Sequence, residues 1–348
     1  MKAILMIILC VSSVFACTDF QIISSDNSVI NGRSMEFGPE TNSNLIVHAR
    51  GERLSSRAPT KQDAIKWTSK YGFVGLDIFG VNTTVDGLNE KGLSVGVLWF
   101  PGGMYNKVSS DSKNVIEILD VAGWLLGNFA SVDEVRSAVR NVTVWGDFNP
   151  AVKMVPPVHF AVHDATGKNL VIEFVNGETK IYDNPNGVLT NSPPFDWHMT
   201  NLRNYLYLRS QNVNPLTFGR LVLEPTGEGT GMLGIPGDWT PPSRFVRATA
   251  FVHYAKKPIN SKEGVNLAQH ILNTVDIPKG DITDNGKTAD YTQWAVVKDL
   301  KNKIFYFRSY DSLTLKSVDL KKINFNSQKK RSIPIAESSF IDVTNKVK

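Results

Sequence analysis

The group in this chain best suited to nucleophilic chemistry is a thiol placed at the end of an apolar leader. The sequence contains two cysteines, Cys10 and Cys17. Lys2 gives the leader a positive start, Ile4 to Val14 is apolar apart from Ser12 and Ser13, and Val14-Phe15-Ala16 offers residues that a signal peptidase accepts. Cleavage after Ala16 removes Cys10 and leaves Cys17 as the first residue, so that a thiol and a free α-amine share one residue. The thiolate is the reactive form, and it needs a nearby base or cation. An α-amine, with an ordinary pKa of about 7.7 to 8.0, can itself take the proton. A cysteine in this position could instead carry a lipid anchor, which would block both groups and make the chain a non-catalytic tethered protein. Phe15 argues against that reading, because lipid-attachment sites carry a small residue there.

The elements that would position Cys17 begin with a hairpin. Phe20 to Ile23 and Ser28 to Asn31 are strand-like and flank Asp26-Asn27, residues that favour tight turns. A two-residue turn at that centre sets Cys17 opposite Glu36, bringing a carboxylate to the amine. Alternation then turns Arg33 to the other face, and it joins the site only if the strand is bulged near Gly32. Further hairpins are expected at Thr83 to Leu88 with Leu93 to Phe100, at His159 to His163 with Leu170 to Val175 and Thr179 to Tyr182, and at Trp294 to Lys298 with Ile304 to Ser309. Apolar spacing predicts helices over Val115 to Leu126, Phe195 to Leu208 and Glu263 to Val275, and Ser131-Val132-Asp133-Glu134 opens another that runs to about Val142. Hairpin blocks interrupted by helix pairs indicate an α+β layered fold. No linker divides residues 17–348, which are read as one domain.

Composition narrows the function. Charged residues at 20% and hydrophobic ones at 42% exclude disorder, and a net charge of +5 says little about partners. Lys329-Lys330-Arg331 reads as a solvated loop, so no nucleic-acid partner is expected. The apolar leader is too short for an ordinary membrane span of about 20 residues, and nothing downstream replaces it. The chain from Cys17 onward has no second cysteine, so no internal disulfide forms in a compartment where disulfides are common. His159 and His163 have metal-like spacing in text, but on a strand they stand about 13 Å apart, too far to share an ion. Asn82-Thr83-Thr84 and Asn141-Val142-Thr143 are sequons only if the source glycosylates. No phosphate-binding glycine loop is present, and neither metal nor cofactor is expected.

Six segments taken together carry a resemblance. Cys17-Thr18, Asn31-Gly32-Arg33-Ser34-Met35-Glu36-Phe37, Gly87-Leu88-Asn89-Glu90-Lys91-Gly92-Leu93, Leu98-Trp99-Phe100-Pro101-Gly102, Leu189-Thr190-Asn191-Ser192-Pro193 and Ser243-Arg244-Phe245 resemble the choloylglycine hydrolase family. That family contains bile salt hydrolases and penicillin V acylases and belongs to the N-terminal nucleophile hydrolases; this chain looks most similar to its exported Gram-negative branch. The resemblance implies a four-layer αββα fold. It implies Cys17 as nucleophile, Arg33 and Arg244 setting the charge around the thiol, Glu36 holding the amine, and Asn191 donating to an oxyanion. Glu36 stands where better-known members carry Asp. Trp99 stands where bile salt hydrolases usually have Asn and many penicillin V acylases Tyr, so only its backbone amide could serve the oxyanion. Phe37, Trp99 and Phe100 would then form an aromatic acyl pocket. The implied substrate is a small-molecule N-acyl amide, whether penicillin V, an acyl homoserine lactone or a conjugated bile salt, and a homo-oligomer is open.

Overall fold

The computed structural model describes residues 16–59, 63–284 and 286–336. The leader, apart from Ala16, lies outside them. Two antiparallel sheets dominate. The first runs in the order Val188–Leu189, β1 (Cys17–Ile23), β2 (Val29–Phe37), Tyr291–Asp299, Ile304–Ser309 and Ser312–Asp319. The second runs Glu178–Asp183, Asn169–Val175, Val158–His163, Ser94–Trp99, Val81–Asn89, Phe73–Ile78, Asn44–His48 and Arg331–Pro334. The sheets pack face to face, with β1 against the Ser94–Trp99 strand. Helices α1 (Val121–Asn128) and α2 (Val132–Val139) cover the second sheet; α4 (Pro241–Tyr254) and α5 (Ser261–Asn273) cover the first, with α3 (Phe195–Asn201) beside α4. The result is the αββα layering the resemblance implied.

The first hairpin forms where expected, but its register differs by one residue. The loop is Ser25-Asp26-Asn27, three residues rather than two. Asp26 accepts from the Ser28 N–H at 2.9 Å and the Ser28 hydroxyl at 3.0 Å, and Asn27 takes a left-handed φ of 60°. Such three-residue loops end on a left-handed residue, a conformation Asn tolerates. Cys17 therefore pairs with Met35, and Asp19 with Arg33. A one-residue slip flips every side chain, so Arg33 shares the inter-sheet face with Cys17 without any bulge in β2, while Glu36 turns to the helix side. The irregularity lies in the neighbouring strand, between Thr292 and Trp294. Gly32 lets this ladder close, since a Cβ there would stand 2.5 Å from Cζ of Phe20.

Helix expectations held unevenly. Ser131 caps α2 through the Glu134 N–H at 3.3 Å, and α5 spans its predicted range closely. The Val115 to Leu126 helix is shorter than expected: Val115–Glu117 forms a strand paired in parallel with Thr143–Trp145, and α1 begins only at Val121. Two β-branched residues, Val115 and Ile116, suit that pairing. The Phe195 segment is helical to Asn201, then continues as a 3₁₀ turn to Tyr205. Helix α4 was not anticipated. Its signal was Pro241-Pro242 in the first turn, where a missing N–H costs nothing.

Candidate active site

Cys17, Asn191 and Arg244 converge where β1 begins. The backbone N–H of Cys17 donates to Asn191 Oδ1 at 2.8 Å, and Arg244 Nη2 donates to the same oxygen at 2.7 Å. Asn191 Nδ2 donates to the Trp99 carbonyl at 2.7 Å. Two donors on Oδ1 fix the amide's orientation, and one of its two N–H bonds is left for another acceptor. Arg244 is the fourth residue of α4, which packs on β1. Its Nη1 donates to the Cys17 carbonyl at 2.5 Å and to Thr18 Oγ1 at 2.7 Å. His198, from α3, contacts the Asn191 carbonyl through Nε2 at 2.9 Å and stacks on Phe245. Burial pushes its pKa down to about 4, so it is neutral at physiological pH and serves as a brace.

Arg33 is fully buried between the sheets. Its Nη2 lies 3.8 Å from Cys17 Sγ and donates to the Val97 carbonyl, while Nη1 donates to the Val85 carbonyl at 3.1 Å. The guanidinium sits 5.0 Å from the Trp294 ring centroid. Burial pushes the Cys17 thiol above its ordinary value, and Glu36 adds to that; Arg33, the Trp99 backbone N–H and Arg244 pull it down. Glu36 is also buried, its N–H donating to the Ala16 carbonyl at 3.0 Å and its Oε1 accepting from Thr292 Oγ1 at 2.8 Å. Its Oε2 has no partner. Burial raises its carboxyl to about 7, opposed by Arg244. An unsatisfied buried carboxylate oxygen next to the Ala16–Cys17 junction is suited to a cation.

The sulfur opens on a cavity of about 100 Å³ lined by Met35, Phe37, Phe79, Val97 and Trp99, with Ala151 and Val152 from the connection after Trp145. Phe37 meets Trp99 edge-on at 6.1 Å and Phe79 at 5.7 Å, contacts worth about 0.5–1.5 kcal/mol each beyond simple burial. Phe100 does not take part. One residue past Trp99, it points away from the cavity and stacks on His159 at 4.7 Å. A larger cleft of about 880 Å³ opens beside Gln21 and Asn169, but none of the expected site residues lines it.

Met35, Phe79, Thr18, Thr292 and His198 belong to this site and were not singled out from the sequence. Thr18 and Met35 stand inside the segments that carry the resemblance: Thr18 follows Cys17 in β1, and the observed register places Met35 opposite Cys17. The others come from elements whose approach depends on tertiary packing. His159 and His163 are held by Glu173 and Asp19 respectively, at 2.9 and 2.6 Å. Among the described residues no cluster of three or more ligating side chains is present, and no helix is long and apolar enough to cross a membrane.

Comparison with known proteins agrees with this architecture. The profile of the linear amide C–N hydrolases, choloylglycine hydrolase family, matches residues 17–332. The chain is 34% identical over 317 residues to a bile salt hydrolase/transferase of Clostridium perfringens, covering 89% of this chain and 94% of that protein. It is 31% identical over 335 residues to a penicillin V acylase of Pectobacterium atrosepticum, covering 89% and 82%. In three dimensions it matches a conjugated bile acid hydrolase from Clostridium perfringens with a TM-score of 0.84, 31% identity and coverage of 94% and 100%. It matches a penicillin V acylase from Agrobacterium tumefaciens with a TM-score of 0.75, 26% identity and 91% of each chain. The chain belongs to the choloylglycine hydrolase family and is a hydrolase of linear amides.

Proposed function

We propose that this is an exported N-terminal cysteine amidohydrolase that prefers a flat phenoxyacetyl or flexible fatty acyl group, as in phenoxymethylpenicillin or long-chain acyl homoserine lactones. The observation that carries the substrate reading is the cavity at Cys17. It is apolar and aromatic, lined by Phe37, Phe79 and Trp99 beside Met35 and Val97, a lining against which a flat ring or a flexible chain packs. A steroid acid gains less from a slot narrowed by the Trp99 indole. The rival is conjugated bile salt hydrolysis, favoured by the names of several relatives.

The proposed reaction starts from Cys17 with a free amine. Sγ attacks the amide carbonyl, and its proton passes to the α-amine. The oxyanion takes the free N–H of Asn191 and the Trp99 backbone N–H. The C–N bond breaks as the ammonium returns the proton to the leaving amine. Water then attacks the thioester, giving the acid and restoring the thiol. Glu36 holds the ammonium, Arg33 opposes the thiolate charge, and Arg244 orients Asn191 and the Cys17 backbone.

Side-by-side hydrolysis of phenoxymethylpenicillin, a long-chain acyl homoserine lactone and glycocholate or taurocholate tests the substrate reading. One of the first two is expected to give the highest kcat/KM. Trp99→Ala should lower kcat/KM for that substrate about tenfold, the scale of losing a well-packed methylene or two. Bile salts cleaved at least about tenfold more efficiently than both others would show the pocket to be misread.

A homo-oligomer is also proposed. The Leu216–Phe218 and Leu221–Leu223 strands form an isolated ribbon whose residues are all exposed, with Phe218 at 59%. Two-stranded ribbons are barely stable alone, and exposed apolar patches of this kind mark contacts. We assign a second copy of the chain to it. Light scattering should give a multiple of the protomer mass, reduced by Phe218→Asp with Leu221→Asp; a native monomer would contradict this.

A further inference from the structure

Arg33 sits beside a buried ion cluster that the proposed reaction does not use. Lys298 projects from the Tyr291–Asp299 strand and Asp86 from the Val81–Asn89 strand, so their pairing bridges the two sheets. Both are fully buried. Lys298 Nζ donates to Asp86 Oδ1 at 2.7 Å and to Oδ2 at 2.9 Å, whereas Arg33 Nη1 reaches Oδ2 only at 3.3 Å. Asp19, across from Arg33 in the ladder, is engaged elsewhere: His163 Nε2 lies 2.6 Å from its Oδ1, and Asn31 Nδ2 donates to its Oδ2 at 3.0 Å. Gly96 keeps the space narrow, because a Cβ there would stand 3.2 Å from Arg33 Cδ and 3.4 Å from both carboxylates. Each carboxylate beside the guanidinium thus has a nearer partner. What remains for Arg33, besides the longer 3.3 Å ion pair with Asp86, is two backbone carbonyls, Cys17 Sγ at 3.8 Å and Met35 Sδ at 3.9 Å.

We propose that Lys298 is a positioning residue that acts on the Cys17 thiol through Asp86 and Arg33. By holding the Asp86 carboxylate, it leaves the guanidinium charge directed at Sγ instead of neutralised within a tight ion pair. The charged groups facing Lys298 are Asp86, Asp19 and Arg33, with His163 beyond Asp19; those facing the thiol are Arg33, Arg244 and Glu36. Without Lys298, Asp86 turns to Arg33, and the thiolate loses part of the opposite charge that favours it.

The test reads thiol ionisation, not turnover: iodoacetamide alkylation of Cys17 from about pH 5 to 10, followed by mass spectrometry of the peptide that contains it. Lys298→Met keeps the length and removes the charge. It should raise the midpoint by about one unit and slow alkylation at neutral pH roughly tenfold. Asp86→Asn combined with Lys298→Met removes both charges and should return the midpoint to within about 0.3 unit of native. A purely structural role would lower the melting temperature without moving the midpoint, and the second substitution would restore nothing. An unmoved midpoint in Lys298→Met, or a double variant that stays with the single one, overturns the proposal. Should Lys298→Met fail to melt cooperatively, the double variant is compared with native alone, and a midpoint more than about half a unit higher overturns it. The inference rests on Cys17 as nucleophile. Native protein without amide turnover would undo that reading and leave the alkylation result standing.

Discussion

Cys17→Ala is expected to abolish amide turnover, by at least about 10⁴-fold, while the protein unfolds close to the native temperature. The chemistry has no substitute for the sulfur. Met35 Sδ and Arg33 lie near it at 3.8 Å, yet neither can form the acyl intermediate. Structurally the change is small, since one buried atom is removed from a side chain that is 2% exposed, at a cost of about 1 kcal/mol. Melting curves and steady-state rates on the same preparation check both halves. Near-normal turnover in a correctly processed Cys17→Ala protein would falsify the nucleophile.

Asn191→Ala is expected to lower kcat by about 10²- to 10³-fold with KM changed far less, the pattern of an interaction made in the transition state. Asn191 does two things, however. Its Oδ1 anchors the Cys17 N–H and Arg244 Nη2, and its Nδ2 supplies the donor. Asn191→Asp separates them: it keeps an acceptor for both anchors, removes the donor and places negative charge where the oxyanion would form. It should be at least as damaging as Asn191→Ala. A rise in KM at unchanged kcat in the alanine variant would instead assign Asn191 to ground-state binding.

Local chemistry explains which parts of the fold could be read from residues alone. Turn residues such as Asp26-Asn27 mark a hairpin, and Ser131 with Glu134 marks a helix start, because these signals lie within a few positions of the structure they cause. The register of β1 against β2 goes with a three-residue loop, in which Asp26 accepts from the Ser28 N–H and Asn27 is left-handed. That single difference moved Arg33 to the face of Cys17 and Glu36 off it. Val115–Glu117 was drawn into a strand by Thr143–Trp145, a partner far along the chain. Phe100 adjoins Trp99 in sequence, which suggests a shared pocket, but strand alternation sends neighbours to opposite sides. The ion pair of Asp86 and Lys298 spans 212 positions, and no spacing rule reaches that far.

Cys17, with its own amine free, is expected to carry the acyl group during amide cleavage. Rapid acid quenching during turnover of the preferred substrate, followed by mass analysis of the N-terminal peptide, tests it most directly. The expected product is a peptide that begins at Cys17 and carries one acyl group as a thioester, released by hydroxylamine. A peptide with residues ahead of Cys17, a blocked or lipidated amine, or an unmodified thiol under conditions where the acyl-enzyme accumulates would contradict it.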